Sequence, residues 1–146
     1  LYEKLLLTAD YRDTSVNNYL ESLISSLVAV YDLNNNITVK TDISDFVINS
    51  KKALSVGIII NELLTNVFKY AFTGRDNGTV SVSIDKTENR VTLVVKDNGV
   101  GISERRHENK SPGFGFAIVK MIVEQLGGSY DIVSDNGTES IIRFEV

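Results

Sequence analysis

The stretch Ser50-Lys51-Lys52-Ala53-Leu54-Ser55-Val56-Gly57-Ile58-Ile59-Ile60-Asn61-Glu62-Leu63-Leu64-Thr65-Asn66-Val67-Phe68-Lys69-Tyr70-Ala71-Phe72 decides the fold. Its apolar residues leave almost no polar side, and the spacing predicts one long helix from Asn49 or Ser50 to Phe72, buried nearly all round. Such a helix needs cover on several sides.

Outward from it the periods change. Leu20, Leu23, Ile24, Leu27, Val28 and Tyr31 keep the i, i+3, i+4, i+7 spacing of a first helix, with Ser15 or Asn18 as its cap, and Asp32–Asn36 ends it. Ile37, Val39 and Thr41 alternate with polar residues and Phe46–Ile48 is a short apolar run, so two strands are expected there. Thr79–Lys86 and Arg90–Asp97 alternate across the short turn Thr87–Asn89, a hairpin with Val80, Val82, Ile84, Leu93 and Val95 inward. Asn98–Pro112 carries charge clusters without a period and reads as a long loop, a type that is often functional. Helical spacing returns over Phe114–Leu126 until Gly127-Gly128 stops it. Ser129–Ser134 and Thr138–Val146 then form a closing hairpin around Asp135-Asn136-Gly137.

With 146 residues and 42% hydrophobic content, the chain can bury one sizeable core and is too short to suggest two. Its 15 Lys plus Arg against 19 Asp plus Glu, with no basic run, disfavour nucleic acid as a partner. Cysteine is absent, which excludes disulfides and cysteine-ligated zinc, and the single His107 cannot build a multi-histidine metal site. No apolar run reaches the roughly 18 residues that span a bilayer, and Leu1–Asp10 lacks the order of a signal peptide. A soluble domain without direct membrane contact is expected, and a cytoplasmic location fits.

The polar minority of the central helix carries chemistry, because a buried charge is costly unless paired or used. Glu62, Asn66 and Lys69 fall within roughly 60° of one another at about 100° per residue, with Tyr70 and Thr73 near the same stripe. A carboxylate, an amide oxygen and an ammonium in one line suit a hydroxyl or water, a magnesium ion and a phosphate. The same residues also read as a surface stripe with a helix-spaced ion pair. Asp97-Asn98-Gly99-Val100-Gly101 places an ionised acceptor at a strand end, where it could receive the exocyclic amine of adenine, with glycines that let the backbone approach a base. In isolation the motif reads more readily as an ordinary Asp-Asn-Gly turn. Gly113-Phe114-Gly115 opens a helix, where unpaired N–H groups favour an anion. The commoner nucleotide loops, Gly-x-x-x-x-Gly-Lys-Ser/Thr and Gly-x-Gly-x-x-Gly after the first strand, are absent.

Taken in order, these pieces resemble a known family. Asn61–Phe72 resembles the N box of sensor histidine kinases, Asp97–Gly101 the G1 box, Gly113–Lys120 the G2 box, and Gly137-Thr138 the family's closing Gly-Thr. The resemblance covers residues 14–146 and extends to the superfamily that holds gyrase, Hsp90 and MutL. Asn61-Glu62-Leu63, Gly57–Ile60 and Gln125–Gly128 look most like the subgroup with the second HisKA type of dimerisation domain, with residues 1–13 as a junction from an upstream domain. The chain departs from the pattern in its lid, which has no clear F box, in Phe116 where Leu is usual, and in Tyr70 where the subgroup often has His.

The resemblance implies an α/β two-layer sandwich of the Bergerat type: a mixed, mainly antiparallel sheet of about five strands, covered on one face by about three helices. It implies ATP and magnesium as cofactors. Asn66 would hold the metal, Lys69 and Tyr70 would face the phosphates, and Asp97 would hold adenine beside Thr138. Gly99, Gly101, Gly113, Phe114 and Gly115 would frame the lid, and Glu62 with Lys69 would serve catalysis. The implied reaction passes the γ-phosphoryl group to a histidine on an upstream helix, then to a response regulator receiver domain, with a homodimer formed through the upstream helices. By itself the chain is expected to bind ATP without phosphorylating itself, since His107 lies in the lid. An anti-sigma-factor-type serine kinase and a non-catalytic nucleotide-binding adaptor are the alternatives.

Overall fold

The structure of the chain, a computed structural model, describes residues 13–31, 36–72, 74–101, 114–134 and 136–146. In chain order, β1 (Asp13–Ser15) leads into α1 (Val16–Tyr31), β2 (Ile37–Ile43), β3 (Val47–Asn49), α2 (Ser50–Asn66) and a π-helical turn (Val67–Ala71). There follow β4 (Gly78–Thr87), β5 (Arg90–Asp97), α3 (Phe114–Gln125), β6 (Ser129–Ser134) and β7 (Thr138–Glu145).

Five strands form one sheet in the order β2-β4-β5-β7-β6, parallel at β2–β4 and antiparallel elsewhere. The strand alternation sets its two faces. Val80, Val82, Ile84, Leu93, Val95, Ile142 and Phe144 turn to the helices and pack with Leu20, Ile59, Ile60, Leu64 and Val119 in one core. On the other face Ser81, Lys96 and Glu139 stand in register across three strands, a polar surface of the kind an antiparallel sheet presents to water. The expected two-layer α/β sandwich is what forms.

Local chemistry fixes the helix ends. The Ser15 hydroxyl accepts the Asn18 N–H at 3.3 Å, and the Asn49 side chain accepts the Lys52 N–H at 2.8 Å, so each helix start gains a partner for a donor that would otherwise lack one. At the end of α3, Gly127 takes φ 70° and the Gly128 N–H reaches back to the Val123 carbonyl at 3.0 Å, a Schellman closure. Where α1 crosses α2, Gly57 leaves the slot filled by the Tyr19 ring, and burial pushes the Tyr19 hydroxyl up to about 12.

Two expectations are corrected. The helix expected to run unbroken to Phe72 is α-helical only as far as Asn66, and the π turn completes it. The wider turn brings Asn66 and Ala71, five residues apart, both into the interior. The strand expected at Phe46–Ile48 forms as β3, one residue later, and pairs antiparallel with β1 outside the main sheet. Residues 1–12 of the junction, residues 32–35 of the break after the first helix, Thr73, Gly113, His107 and the rest of the lid over residues 102–112, Asp135, and the side chains of Phe114 and Gly115 lie outside the described residues.

Candidate functional site

Asp97 ends β5 between Val80 of β4 and Thr138 of β7. It is 4% exposed, and its Oδ1 accepts the Gly99 N–H at 2.9 Å, which turns the chain sharply as it leaves the sheet. Asn98 fastens that turn to β4. Its Oδ1 accepts the Thr79 N–H at 2.9 Å, its N–H donates to the Thr79 carbonyl at 3.2 Å, and its carbonyl accepts Arg75 Nη1 at 2.6 Å.

The next residues are clamped from both sides. The Val100 N–H donates to the Ala71 carbonyl at the end of the π turn at 2.7 Å, and Gly99 lies so close to Ala71 that any Cβ would collide with its backbone. On the other side Gly137, at φ 126°, packs directly on the Asp97 carbonyl. Both glycines are therefore required by close approach, and Gly137 also by its backbone angle. The π turn, the Asp97–Gly101 run and the β6–β7 turn form one contact unit.

Asn66, the last residue of α2, is 7% exposed, and its Nδ2 is buried without a hydrogen-bond partner. Thr138 is 5% exposed, and its Oγ1 is in the same condition. Both residues line one cavity of about 10 Å³, together with Asp97, Ser140 and Phe116. A buried polar atom left unpaired costs about 1–3 kcal/mol. Two of them on residues that line one cavity mark a place that fits a hydrogen-bonding group.

The structure thus brings Asn66, Asp97 and Thr138 together, and keeps Gly99 and Gly101 beside them. Glu62 is half-buried on α2, Lys69 is exposed and Tyr70 half-buried, and none of the three lines the cavity. Among the described residues the ion pair present joins Arg143 to Asp131 at 3.7 Å, so the helix-spaced Glu62–Lys69 pair does not form. Ser140 escaped the sequence reading, and Phe116 was noted only as an atypical residue. The available signal was Ser140 itself, a second hydroxyl at an inward position of a strand whose next inward residues are Ile142 and Phe144. No cluster of three or more His, Cys, Asp and Glu side chains that could hold a metal occurs among the described residues. A divalent ion here would draw most of its oxygens from a bound molecule and water, as magnesium commonly does.

Residues 51–146 match the family described as histidine kinase-, DNA gyrase B-, and HSP90-like ATPase, over more than half of the chain. The chain belongs to this family. It is 29% identical over 92 residues to blue-light-activated histidine kinase 2 of Erythrobacter litoralis, covering 62% of this chain and 26% of that protein. To the sensor histidine kinase PdtaS of Mycobacterium tuberculosis it is 28% identical over 104 residues, covering 68% of this chain and 21% of that protein. The fold superposes on the histidine kinase domain of an Erythrobacter litoralis blue-light activated histidine kinase with a TM-score of 0.81 at 23% identity, over 90% of this chain and 61% of that one. The ATPase family membership carries ATP binding with it. No helix among the described residues is long and apolar enough to cross a membrane.

Proposed function

We propose that residues 14–146 are the ATP-binding catalytic domain of a two-component sensor histidine kinase, with residues 1–13 as the junction to an upstream domain. The observation that carries this reading is the convergence of the Asp97 carboxylate with the unpartnered Asn66 Nδ2 and Thr138 Oγ1, beside a backbone run that Gly99 packs closely on Ala71. The histidine kinase relatives favour histidine over serine as the acceptor.

Asp97 accepts the exocyclic amine of adenine. Asn66 turns its amide oxygen to magnesium, while Lys69 and Tyr70 face the phosphates from the exposed side of the π turn. Gly99, Gly101, Gly113, Phe114 and Gly115 frame the lid, and the start of α3 offers N–H groups to an anion. Bound magnesium supplies neutralisation of the phosphate charge. Glu62 orients the acceptor histidine and takes up its proton as the ring nitrogen bonds to the γ-phosphorus and the bond from that phosphorus to the ADP oxygen breaks. The rest is positioning. The partners are the upstream histidine-bearing helices of a homodimer and a response regulator receiver domain, in a cytoplasmic setting.

Calorimetry on Asp97→Ala tests the base assignment. Loss of a charged hydrogen bond, about 1.5–3 kcal/mol, lowers ATP affinity roughly ten- to a hundred-fold, and unchanged affinity would remove Asp97 from the base site. A second measurement addresses the acceptor. Incubated with labelled ATP and magnesium, the chain is expected to gain no acid-labile label until the upstream helices are supplied, and label on His107 would overturn their role.

A further inference from the structure

Asn66 and Thr138 come from different elements, α2 and β7, and the proposed function gives them separate tasks, one at the metal and one beside the base. Both residues nevertheless line one cavity, each is more than nine-tenths buried, and each carries a buried polar atom without a partner. The chemistry of these atoms is complementary. Asn66 Nδ2 can only donate, Thr138 Oγ1 can donate and accept, and the Asp97 carboxylate beside them accepts. At about 10 Å³ the cavity holds about one water, and a buried water needs two to four polar partners, which this lining supplies.

We infer that Thr138 is a positioning residue for the metal site: a water shared with Thr138 Oγ1 and Asp97 holds the Asn66 amide nitrogen inward, and so fixes the amide oxygen in the direction of magnesium. With the nitrogen tied inside, the oxygen is the end left to point out of the cavity. Ser140, on the same face of β7 and on the same wall, completes the polar lining. Base site and metal site then share one hydrogen-bonded link across the gap between α2 and β7, and a change at Thr138 is felt at the metal.

The inference rests on the proposed function in one respect, that Asn66 meets magnesium. The measurement is the affinity of a non-hydrolysable ATP analogue, with magnesium and with a chelator, and the quantity read is the ratio of the two. In the parent protein magnesium tightens binding, and in Asn66→Ala the ratio falls to one. Thr138→Val keeps the shape and removes the hydroxyl, and is expected to cut the ratio about three- to tenfold, the size of one lost hydrogen bond. Thr138→Ser, which retains the hydroxyl, should restore it. If Thr138→Val weakens binding equally with and without magnesium, Thr138 serves the base alone and the coupling is wrong. A parent protein whose binding is no tighter with magnesium would instead sink the metal role of Asn66, and the coupling with it. Circular dichroism verifies the fold, and should Thr138→Val not fold, Thr138→Ala is read in the same way.

Discussion

On the proposed function, Asn66→Ala in the full-length protein is expected to abolish phosphoryl transfer and leave the fold intact. Both halves follow from the position of the side chain. Asn66 closes the last α-helical turn of α2 with its amide nitrogen bonded to no protein group, so truncating it strands no donor or acceptor elsewhere. The helix end is held by the backbone, where the Val67 N–H reaches the Leu63 and Leu64 carbonyls, and by the buried neighbours Leu63, Leu64 and Val67. On the proposed function transfer depends on the amide oxygen, because no acidic cluster is present among the described residues to take over the metal. Magnesium that loses a protein ligand no longer aligns the phosphates, and in phosphoryl transfer alignment and charge neutralisation are nearly all the catalysis there is. Circular dichroism checks the fold and a phosphotransfer assay the chemistry. Parental rates in the variant would take the metal away from Asn66.

The parts of the fold readable in the sequence are those in which a period runs long enough to be distinctive. Eight residues of β5 alternate cleanly, and the apolar spacing of α2 continues over 17 residues. The π turn left no such trace. Its five residues cannot distinguish a wider turn from an α-helical one by apolar spacing, and the turn is tied to a contact distant in sequence, the Val100 N–H on the Ala71 carbonyl. The three-residue strands β1 and β3 are likewise too short for a period, and their pairing depends on bringing Asp13 to Asn49. Among candidate residues, Asp97 and its glycines were readable because turn chemistry and a strand end coincide in five residues. Ser140 was not, since one hydroxyl in an alternating strand gains meaning only when Asn66 of α2 is seen across the cavity from it.

On the proposed function, Glu62→Gln is the second large effect expected in the full-length protein, and its size reports a mechanism. Glu62 precedes Asn66 by four residues on α2, about one turn, half-buried and unpaired with Lys69. A carboxylate held by Lys69 would have to give up that partner before accepting a proton. This one has no such partner to give up. Gln keeps the length, the shape and one oxygen acceptor and removes the ability to take a proton. If Glu62 accepts the proton of the acceptor histidine as the nitrogen attacks, the rate falls by about 10²–10⁴, the usual worth of general base catalysis. If Glu62 only orients the ring by a hydrogen bond, the Gln oxygen does nearly the same, and the loss stays within about tenfold, the size of a weakened hydrogen bond. ATP affinity is expected to be unchanged in either case, because Glu62 stands apart from Asp97, Asn66 and Thr138, which line one cavity without it. Single-turnover transfer rates, measured beside calorimetric ATP affinity, separate the outcomes. A variant with parental rates rejects both roles, and one with weakened ATP binding moves Glu62 into the nucleotide site.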